Sequence, residues 1–192
     1  VQTGNTWSQQ QKLIPADGNA GNRFGFSVSL SGDTALIGAH GDDSAYVFVR
    51  SGSEWIQEAK LTADDGAEND WFGYSVSVEG DTAFIGASHD NNDKGDKAGS
   101  VYVFVRSGTE WIQQDKLTAD DGADDNRFGH SVSVDGDTAL IGACGDGLLW
   151  LGSAYVFVRS GTEWIQQDKL TADDGVSNDH FGWSVSVDGD TA

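Results

Sequence analysis

The sequence is poor in residues that brace or anchor a chain, with one proline, one cysteine and no methionine in 192 residues. A lone Cys144 excludes a framework of intramolecular disulfides. No stretch approaches the roughly 18 consecutive apolar residues of a membrane-spanning helix. The N-terminus has neither the basic region nor the apolar run of an export signal. We therefore expect no membrane insertion and no export signal within this chain.

Positive charge is also scarce, because 11 lysines and arginines stand against 31 acidic residues, for a net charge of −20. Nucleic-acid binding depends on cationic side chains that neutralise phosphates, so we expect no nucleic-acid partner. Acidic surfaces suit divalent cations or basic partners, and they also keep sheet proteins soluble.

What the chain has in abundance is glycine, at 26 residues, and a repeated Phe-Gly-x-Ser-Val-Ser segment. The segment occurs four times, at 24–30, 72–78, 128–134 and 181–187. In each unit two pairs of apolar-alternating runs are joined by tight glycine turns, such as 79–81 and 107–110, which predicts two hairpins. Four short antiparallel strands in each unit of about 50 residues are typical of a β-propeller blade. The predicted fold is therefore all-β.

The Phe-Gly opening and the Gly-Ala ending of the second strand resemble the FG-GAP repeat of integrin α-chain propellers and bacterial extracellular proteins. Gly-Ala occurs at Gly38, Gly86 and Gly142, each followed by alanine. The proline that follows in the family is replaced by His40, Ser88 and Cys144. The resemblance covers essentially the whole chain, and it implies a propeller with an extracellular or cell-surface location.

The ends indicate how the repeats are divided, with units at approximately 24–71, 72–127 and 128–180 and a fourth unit split between 1–23 and 181–192. Counting residues 7–13 and 184–187 as strands predicts about three and a half blades in one domain. The family's usual ring has seven blades, so we expect a homodimer that completes such a ring. A small four-bladed monomer and a fragment of a longer protein are the alternatives.

Acidic residues concentrate in the loops between strands two and three and between blades, where calcium is the cofactor to consider. The segment 90–96 resembles the family's calcium loop, with Lys94 where a ligand should lie. The other candidate is the repeated Ala-Asp-Asp-Gly, which we favour as a turn with Asp side chains capping backbone donors and glycine at positive φ. The candidate metal ligands are Asp90, Asn92, Asp93, Asp96, Asp64, Asp65, Asp120, Asp121, Asp173 and Asp174.

Sequence variation within the repeat concentrates on both sides of Phe-Gly. The candidate ligand-binding residues at these positions are Trp71, Tyr74, His130, His180 and Trp183. Exposed aromatics there could stack on sugars, but packing between blades is the favoured interpretation. Tryptophans at positions 7, 55, 111 and 164 open equivalent strands, so we expect them to be structural.

An apolar insertion interrupts one acidic loop at Leu148, Leu149, Trp150 and Leu151. Four apolar residues among Gly and Asp predict a contact with another chain or partner, unless the insertion folds back over the ring.

No catalytic constellation is evident, because the same residues recur in every blade and Cys144 has no obvious base. We expect a non-enzymatic extracellular module that presents its acidic loops to a protein. The alternatives are a lectin-like propeller that binds a glycan, and a recently amplified or engineered repeat scaffold without a specific ligand.

Overall fold

Most of the chain forms short antiparallel strands. The computed structural model describes residues 2–3, 5–147 and 149–192, without the side chains of residues 2 and 3. The strands are β1 (Gln2–Thr3), β2 (Thr6–Trp7), β3 (Val28–Ser31), β4 (Thr34–Ala39), β5 (Ser44–Ser51), β6 (Glu54–Leu61), β7 (Phe72–Glu79), β8 (Thr82–Ala87), β9 (Ser100–Ser107), β10 (Glu110–Leu117), β11 (Phe128–Asp135), β12 (Thr138–Ala143), β13 (Ser153–Ser160) and β14 (Glu163–Leu170). Helical structure among the described residues is limited to a 3-10 turn at His40–Asp42, and no helix in this part of the chain is long and apolar enough to cross a membrane.

Twelve of these strands form three four-stranded sheets. Blade A has the order β3-β4-β5-β6, blade B the order β7-β8-β9-β10, and blade C the order β11-β12-β13-β14. Every neighbouring pair is antiparallel. Blade B lies between the other two, since β7 contacts β3 and β4 on one side and β11 on the other. The predicted all-β propeller architecture is confirmed.

The predicted hairpin turns are also confirmed, and glycine makes them possible. Gly80 links β7 to β8 with φ of 55°, and Gly108 links β9 to β10 with φ of 67°. This left-handed conformation is disfavoured for residues with a Cβ, which explains why the turns repeat the same glycine.

The hydrophobic core lies between the blades. Side chains of a strand alternate between the two faces of its sheet, so each blade can pack against both neighbours. One core cluster joins Leu36 and Val47 of blade A to Ile85 of blade B. At the next seam Trp164 of blade C packs edge-to-face on Phe84 of blade B, with ring centroids 4.8 Å apart. Each blade therefore depends on its neighbours for burial.

Pairs of glycines bring neighbouring blades together. A Cβ added to Gly86 of blade B would lie 2.1 Å from the carbonyl oxygen of Gly129 in blade C. Gly38 has the same relation to Gly73, and Gly142 to Gly182. The Gly of Gly-Ala and the Gly of Phe-Gly are thus the two sides of one close backbone contact.

Side chains of the innermost strands hydrogen-bond across the same seams. The Ser29 hydroxyl accepts a hydrogen bond from the Val78 amide at 3.0 Å, and the Ser77 hydroxyl accepts one from the Val134 amide at 3.2 Å. The Ser75 hydroxyl donates to the Gly129 carbonyl at 2.7 Å. These bonds satisfy main-chain groups that no strand ladder reaches.

The two ends differ from the prediction, because residues 8–13 and 184–187 do not form strands. Among the described residues, neither segment forms a backbone ladder with another strand. Each is held instead by side-chain bonds, such as Gln11 with the Trp55 backbone and Ser133 with the Val187 amide.

The predicted structural role of Trp7 is wrong, since Trp7 is 76% exposed. Its counterpart Trp164 is buried because a preceding blade supplies Phe84, and no blade precedes Trp7 in the described part of the chain.

The glycine contact predicts that Gly86→Ala destabilises the protein although alanine is accepted in most strands. Because Gly86 has no positive φ, the penalty comes from displacing the Gly129 backbone, and we expect a loss of about 2 kcal/mol or more in the free energy of unfolding. Urea unfolding measures it. Gly175→Ala is the control, since the nearest atom to its added Cβ lies at 3.3 Å. Equal losses in the two variants would contradict the close-contact interpretation.

Candidate functional site

A bulge in the innermost strand of blades B and C directs one variable side chain out of each of these two sheets. Phe72 pairs with Ala87, but the next paired residue is Ser75, which pairs with Gly86. Gly73 and Tyr74 therefore fall outside the regular ladder, as the equivalent residues of blade C do. Bulges of this kind re-aim side chains. Here they turn Tyr74 and His130 toward the face of the propeller that carries the loops between blades and between strands two and three, which we call the loop face.

The residue before Phe-Gly has an unusual backbone conformation in all four copies. Its φ is 57° at Arg23, 62° at Trp71, 57° at Arg127 and 54° at His180. A left-handed conformation costs a residue with a Cβ on the order of 1 kcal/mol and persists only where surrounding structure enforces it. The repeat therefore holds three kinds of side chain, Arg, Trp and His, in one strained position.

Together these positions form a continuous row of rings across the three seams, which we call the aromatic belt. Its centroid spacings are 4.2 Å for Phe26–His40, 5.4 Å for Trp71–Tyr74, 3.5 Å for Trp71–His89, 4.9 Å for Tyr74–His130, 4.4 Å for His130–Trp183 and 5.4 Å for Trp150–His180. Two further contacts, His40–Tyr74 at 5.2 Å and His180–Trp183 at 5.6 Å, complete the row. Most of these pairs are tilted or edge-to-face, and aromatic rings at such distances stabilise one another beyond simple burial.

The belt contains all four histidines of the sequence, and burial lowers the pKa of three of them. Burial lowers the pKa of His40 and His130, and it lowers the pKa of His89 to about 4. The Tyr74 hydroxyl and His130 Nε2 lie 3.2 Å apart, and His130 Nδ1 lies 3.2 Å from the Trp183 carbonyl. These three imidazoles are neutral at neutral pH, so the centre of the belt is polar but uncharged.

The structure brings together all five predicted ligand-binding residues, Trp71, Tyr74, His130, His180 and Trp183. They also pack between blades, as the favoured interpretation expected, since Tyr74 contacts rings of both neighbouring blades. Sequence reasoning missed His40 and His89. For His40 a signal was available, because the residue after Gly-Ala varies between blades as the residues around Phe-Gly do.

Exposed carboxylates occur in the same loops that supply several belt residues. These carboxylates, here called the acidic rim, lie in the loops between blades and between strands two and three: Asp64, Glu68, Asp93, Asp96, Asp120, Asp124, Asp173, Asp174 and Asp179.

Other acidic residues of the same loops are bound to lysines. In blade B, Lys116 Nζ lies 2.6 Å from Asp65 and 3.1 Å from Asp90, above the Tyr102 ring. Lys60 and Lys169 repeat this arrangement in blades A and C. We call it the lysine clasp, since each lysine joins a loop of its own blade to the loop that precedes the blade.

The clasp changes the interpretation of Ala-Asp-Asp-Gly. Asp65 accepts hydrogen bonds from Lys116 and the Tyr102 hydroxyl, and Asp121 is bound in the same way by Lys169 and Tyr155. The predicted turn is confirmed, since the Gly66 amide donates to the Ala63 carbonyl at 3.3 Å, but Gly66 lacks the predicted positive φ. The side-chain partners of Asp65 are a cation from the last strand of the following blade and a tyrosine hydroxyl.

The calcium-like loop of blade B places its candidate ligands apart. Asp90 is bound by Lys116 and by the Ser100 hydroxyl, and Asn92 bonds the Lys94 amide and the Gly99 carbonyl. Among the described residues no group of three or more His, Cys, Asp or Glu side chains is arranged to hold a metal ion. Calcium binding stays a prediction.

The apolar insertion was expected either to contact a partner or to fold back over the ring, and part of it folds back. Leu148 lies outside the described residues, and Leu149 is 69% exposed. Trp150 folds back, meeting His180 in the belt. Carbonyl groups of residues 149–151 accept hydrogen bonds from the amides of Asn178, His180 and Phe181. The insertion thus helps to position the next Phe-Gly, and its role as a partner contact stays a prediction.

Known proteins provide an independent view of the repeat. A family model described as "FG-GAP repeat" matches residues 7–53, 55–104, 111–157 and 164–192. No curated protein matches the chain. Among solved structures, hydrazine synthase of Kuenenia stuttgartiensis matches 76% of the chain with 12% identity and a TM-score of 0.48. The chain spans 37% of that protein's chain.

The lysine clasp predicts that Lys116→Ala lowers the free energy of unfolding by about 2–3 kcal/mol, because Asp90, whose side chain is 3% exposed, loses its cation. Lys116→Ala combined with Asp90→Asn should recover part of this loss. Urea unfolding measures both. Lys94→Ala is the control, since its ammonium reaches only a backbone carbonyl in the same region. A loss no larger than the control's would contradict the clasp.

The lowered histidine pKa values predict a dependence on pH. Between the ordinary value of 6.5 and about 4, the unfolded state binds a proton that folded His89 rejects, so acid favours unfolding there. Relative to His89→Gln, the wild type should lose stability as pH falls through this window. Comparing the two proteins cancels the common titration of carboxylates. Parallel stability curves for the two proteins would show that His89 is not the group responsible.

Proposed function

We propose that this chain, which belongs to the FG-GAP repeat family, is an interaction module that docks a partner protein on its loop face. The family is generally non-enzymatic. On this proposal the aromatic belt forms the centre of the docking surface and the acidic rim forms its edge. An extracellular or cell-surface location fits the repeat type and is part of the proposal.

The observation that carries the proposal is the convergence of the variable positions. Outside the loops, the repeat keeps nearly every residue that holds the blades together. The residues on either side of Phe-Gly differ from blade to blade, yet they lie side by side in one belt. A surface that varies on a constant scaffold is suited to recognition, and Tyr, Trp and Arg are the residues most often found at binding hot spots.

Charge favours a basic partner. The acidic rim lies in the loops that also supply several belt residues, and the central imidazoles of the belt are neutral, so the face as a whole attracts cations from a distance. Lys and Arg side chains of a partner would meet the rim, while its apolar or aromatic side chains would meet the belt.

The chemistry of the belt supports binding more than catalysis. Burial raises the pKa of Cys144 to about 11, which leaves it a neutral thiol. A general base is most effective with a pKa near the working pH, whereas the pKa of His89 is about 4.

Carbohydrate binding is the second candidate. Trp183 is 54% exposed, and the rings of Trp71 and Tyr74 lie nearly parallel at 12° and 5.4 Å apart. Flat, partly exposed aromatic surfaces of this kind can stack on sugar rings.

The homodimer also remains a proposal. Val28 and Leu30 on the outer side of blade A are 66% and 67% exposed, whereas the equivalent Val76 and Val78 of blade B are buried beneath blade A. A further blade would cover Val28 and Leu30, and a second copy of this chain is one source of it.

The proposal predicts that peptides selected from a random display library against the immobilised chain are rich in Lys, Arg and aromatic residues. Their affinity should fall about tenfold or more in Trp71→Ala, because a central aromatic contact is lost, and it should also fall with added salt. Calorimetry with the selected synthetic peptides measures both effects.

Trp7→Ala is the matched control, since Trp7 is exposed but lies outside the belt. Selected peptides that bind Trp71→Ala and wild type equally would overturn docking on the belt. A glycan array distinguishes the second candidate: signals on the array that disappear in Trp183→Ala would replace the protein partner with a carbohydrate.

A further inference from the structure

We propose that the Arg127 guanidinium, at the seam between blades B and C, binds a carboxylate group. This inference deepens the proposed function, on which it rests for the location of the docking face. It adds a specific anion-binding group to a face whose rim is acidic.

Arg127 is held in place but has unused hydrogen-bonding capacity. Its half-buried side chain stacks on Trp150, with the guanidinium carbon 4.7 Å from the ring centroid. Within the described part of the chain it forms no ion pair, and its buried Nε has no hydrogen-bond partner. A buried donor without an acceptor is costly, so an incoming acceptor would be stabilised there.

Comparison with blade A shows why Arg127 lacks a partner. Arg23 holds the equivalent position and lies 3.0 Å from His40 Nε2. In blade C the residue equivalent to His40 is Cys144, which is 1% exposed. Burial raises the pKa of Cys144 to about 11, so a neutral thiol, a weak acceptor, stands where blade A has an imidazole nitrogen. The exchange of His for Cys therefore leaves the second arginine without a partner.

A second buried polar group without a partner belongs to the same seam. Ser88 is fully buried, and its hydroxyl has no hydrogen-bond partner among the described residues. At the neighbouring seams the equivalent residues lie beside the residue before the next Phe-Gly. The His40 ring meets the Trp71 ring, and the Cys144 backbone carbonyl lies 2.9 Å from His180 Nδ1. The repeat thus places Ser88 beside Arg127, and its hydroxyl is a second donor for an anion at this seam.

Positive charge lies near the imidazoles at this seam although the chain carries a net charge of −20. Burial is the main reason for the lowered pKa of His89, and the charges of Arg127 and Lys97 lower it further, against an opposing contribution from Asp125. Arg127 also contributes to lowering the pKa of His130. The field of Arg127 therefore reaches both imidazoles.

Carboxylate is the anion that this chemistry fits best. The guanidinium presents a planar fork of N–H donors that matches two oxygens of one carboxylate. Trp150 covers one face of the guanidinium and limits its hydration, which strengthens such a pair.

The experiment is a titration of the chain with benzoate and, as a neutral compound of the same shape, with benzamide. NMR signals of the Arg127 Nε–H and of the His89 and His130 rings report binding at Arg127. We expect saturable shifts with benzoate and at least tenfold weaker binding of benzamide. Arg127→Gln should weaken benzoate at least tenfold. Arg159→Gln is the matched control and should change nothing, because Arg159 also lacks an ion pair but its Nε already donates to the Gly161 carbonyl.

A second variant tests the same idea with Arg127 retained. Cys144→His restores the residue found in blade A, and its imidazole should occupy the guanidinium and weaken benzoate binding. Equal binding of benzoate and benzamide, or shifts that survive in both Arg127→Gln and Cys144→His, would overturn the proposal. Benzoate binding at Arg127 without any peptide ligand would leave this inference standing and remove the proposed function. Peptides that bind the belt, together with an absence of benzoate binding, would support the proposed function and overturn the carboxylate site.

Discussion

The close backbone contact between glycines of successive blades is the constraint on which the structure depends. Gly86 and Gly129 approach closely: a Cβ on Gly86 would displace the Gly129 main chain, and a Cβ on Gly129 would lie 2.5 Å from the Ser100 carbonyl oxygen. This approach brings the innermost strands within reach of the Ser29 and Ser77 hydroxyls, which then satisfy main-chain amides of the next blade. It also brings together the sheet faces whose alternate residues form the core. A blade buries its apolar surface only against a neighbour, so the seam holds the whole array together.

The same contact explains how the belt arises. A Phe-Gly bulge is needed to bring Gly129 against Gly86, and the bulge leaves the next residue, His130, outside the ladder and turned toward the loop face. The residue before Phe-Gly is held at positive φ by the same bend. Neither side chain takes part in the glycine contact, so both can change while the seam stays the same. The fold thus fixes where the variable side chains lie and leaves their chemistry open, which is why binding is proposed there.

Much of the fold could be predicted from the sequence, because the same strand pattern and the same glycine turns recur in each repeat. The blades, the glycine turns and the importance of the residues beside Phe-Gly follow from period and pattern. What could not be predicted depends on contacts between repeats. Trp7 looks identical to Trp164, but only a preceding blade can bury it. Asp65 looks like a turn residue, whereas its partner Lys116 comes from the next blade's last strand. His89 enters the belt from a loop whose path no periodicity reveals.

Loop variation is tolerated because the amides around Phe-Gly at each seam need hydrogen-bond acceptors, and different residues can supply them. In blade A the Asp43 carboxylate accepts hydrogen bonds from the amides of Asn69, Trp71 and Phe72. At the next two seams the equivalent amides bond carbonyl groups of the longer loops, at residues 96–98 and 149–151. A short loop therefore uses a side chain where longer loops use backbone, and the Phe-Gly that follows is positioned in the same way. Since the geometry of the belt survives insertion, loops such as the one that carries Trp150 can acquire new contacts without disturbing the propeller.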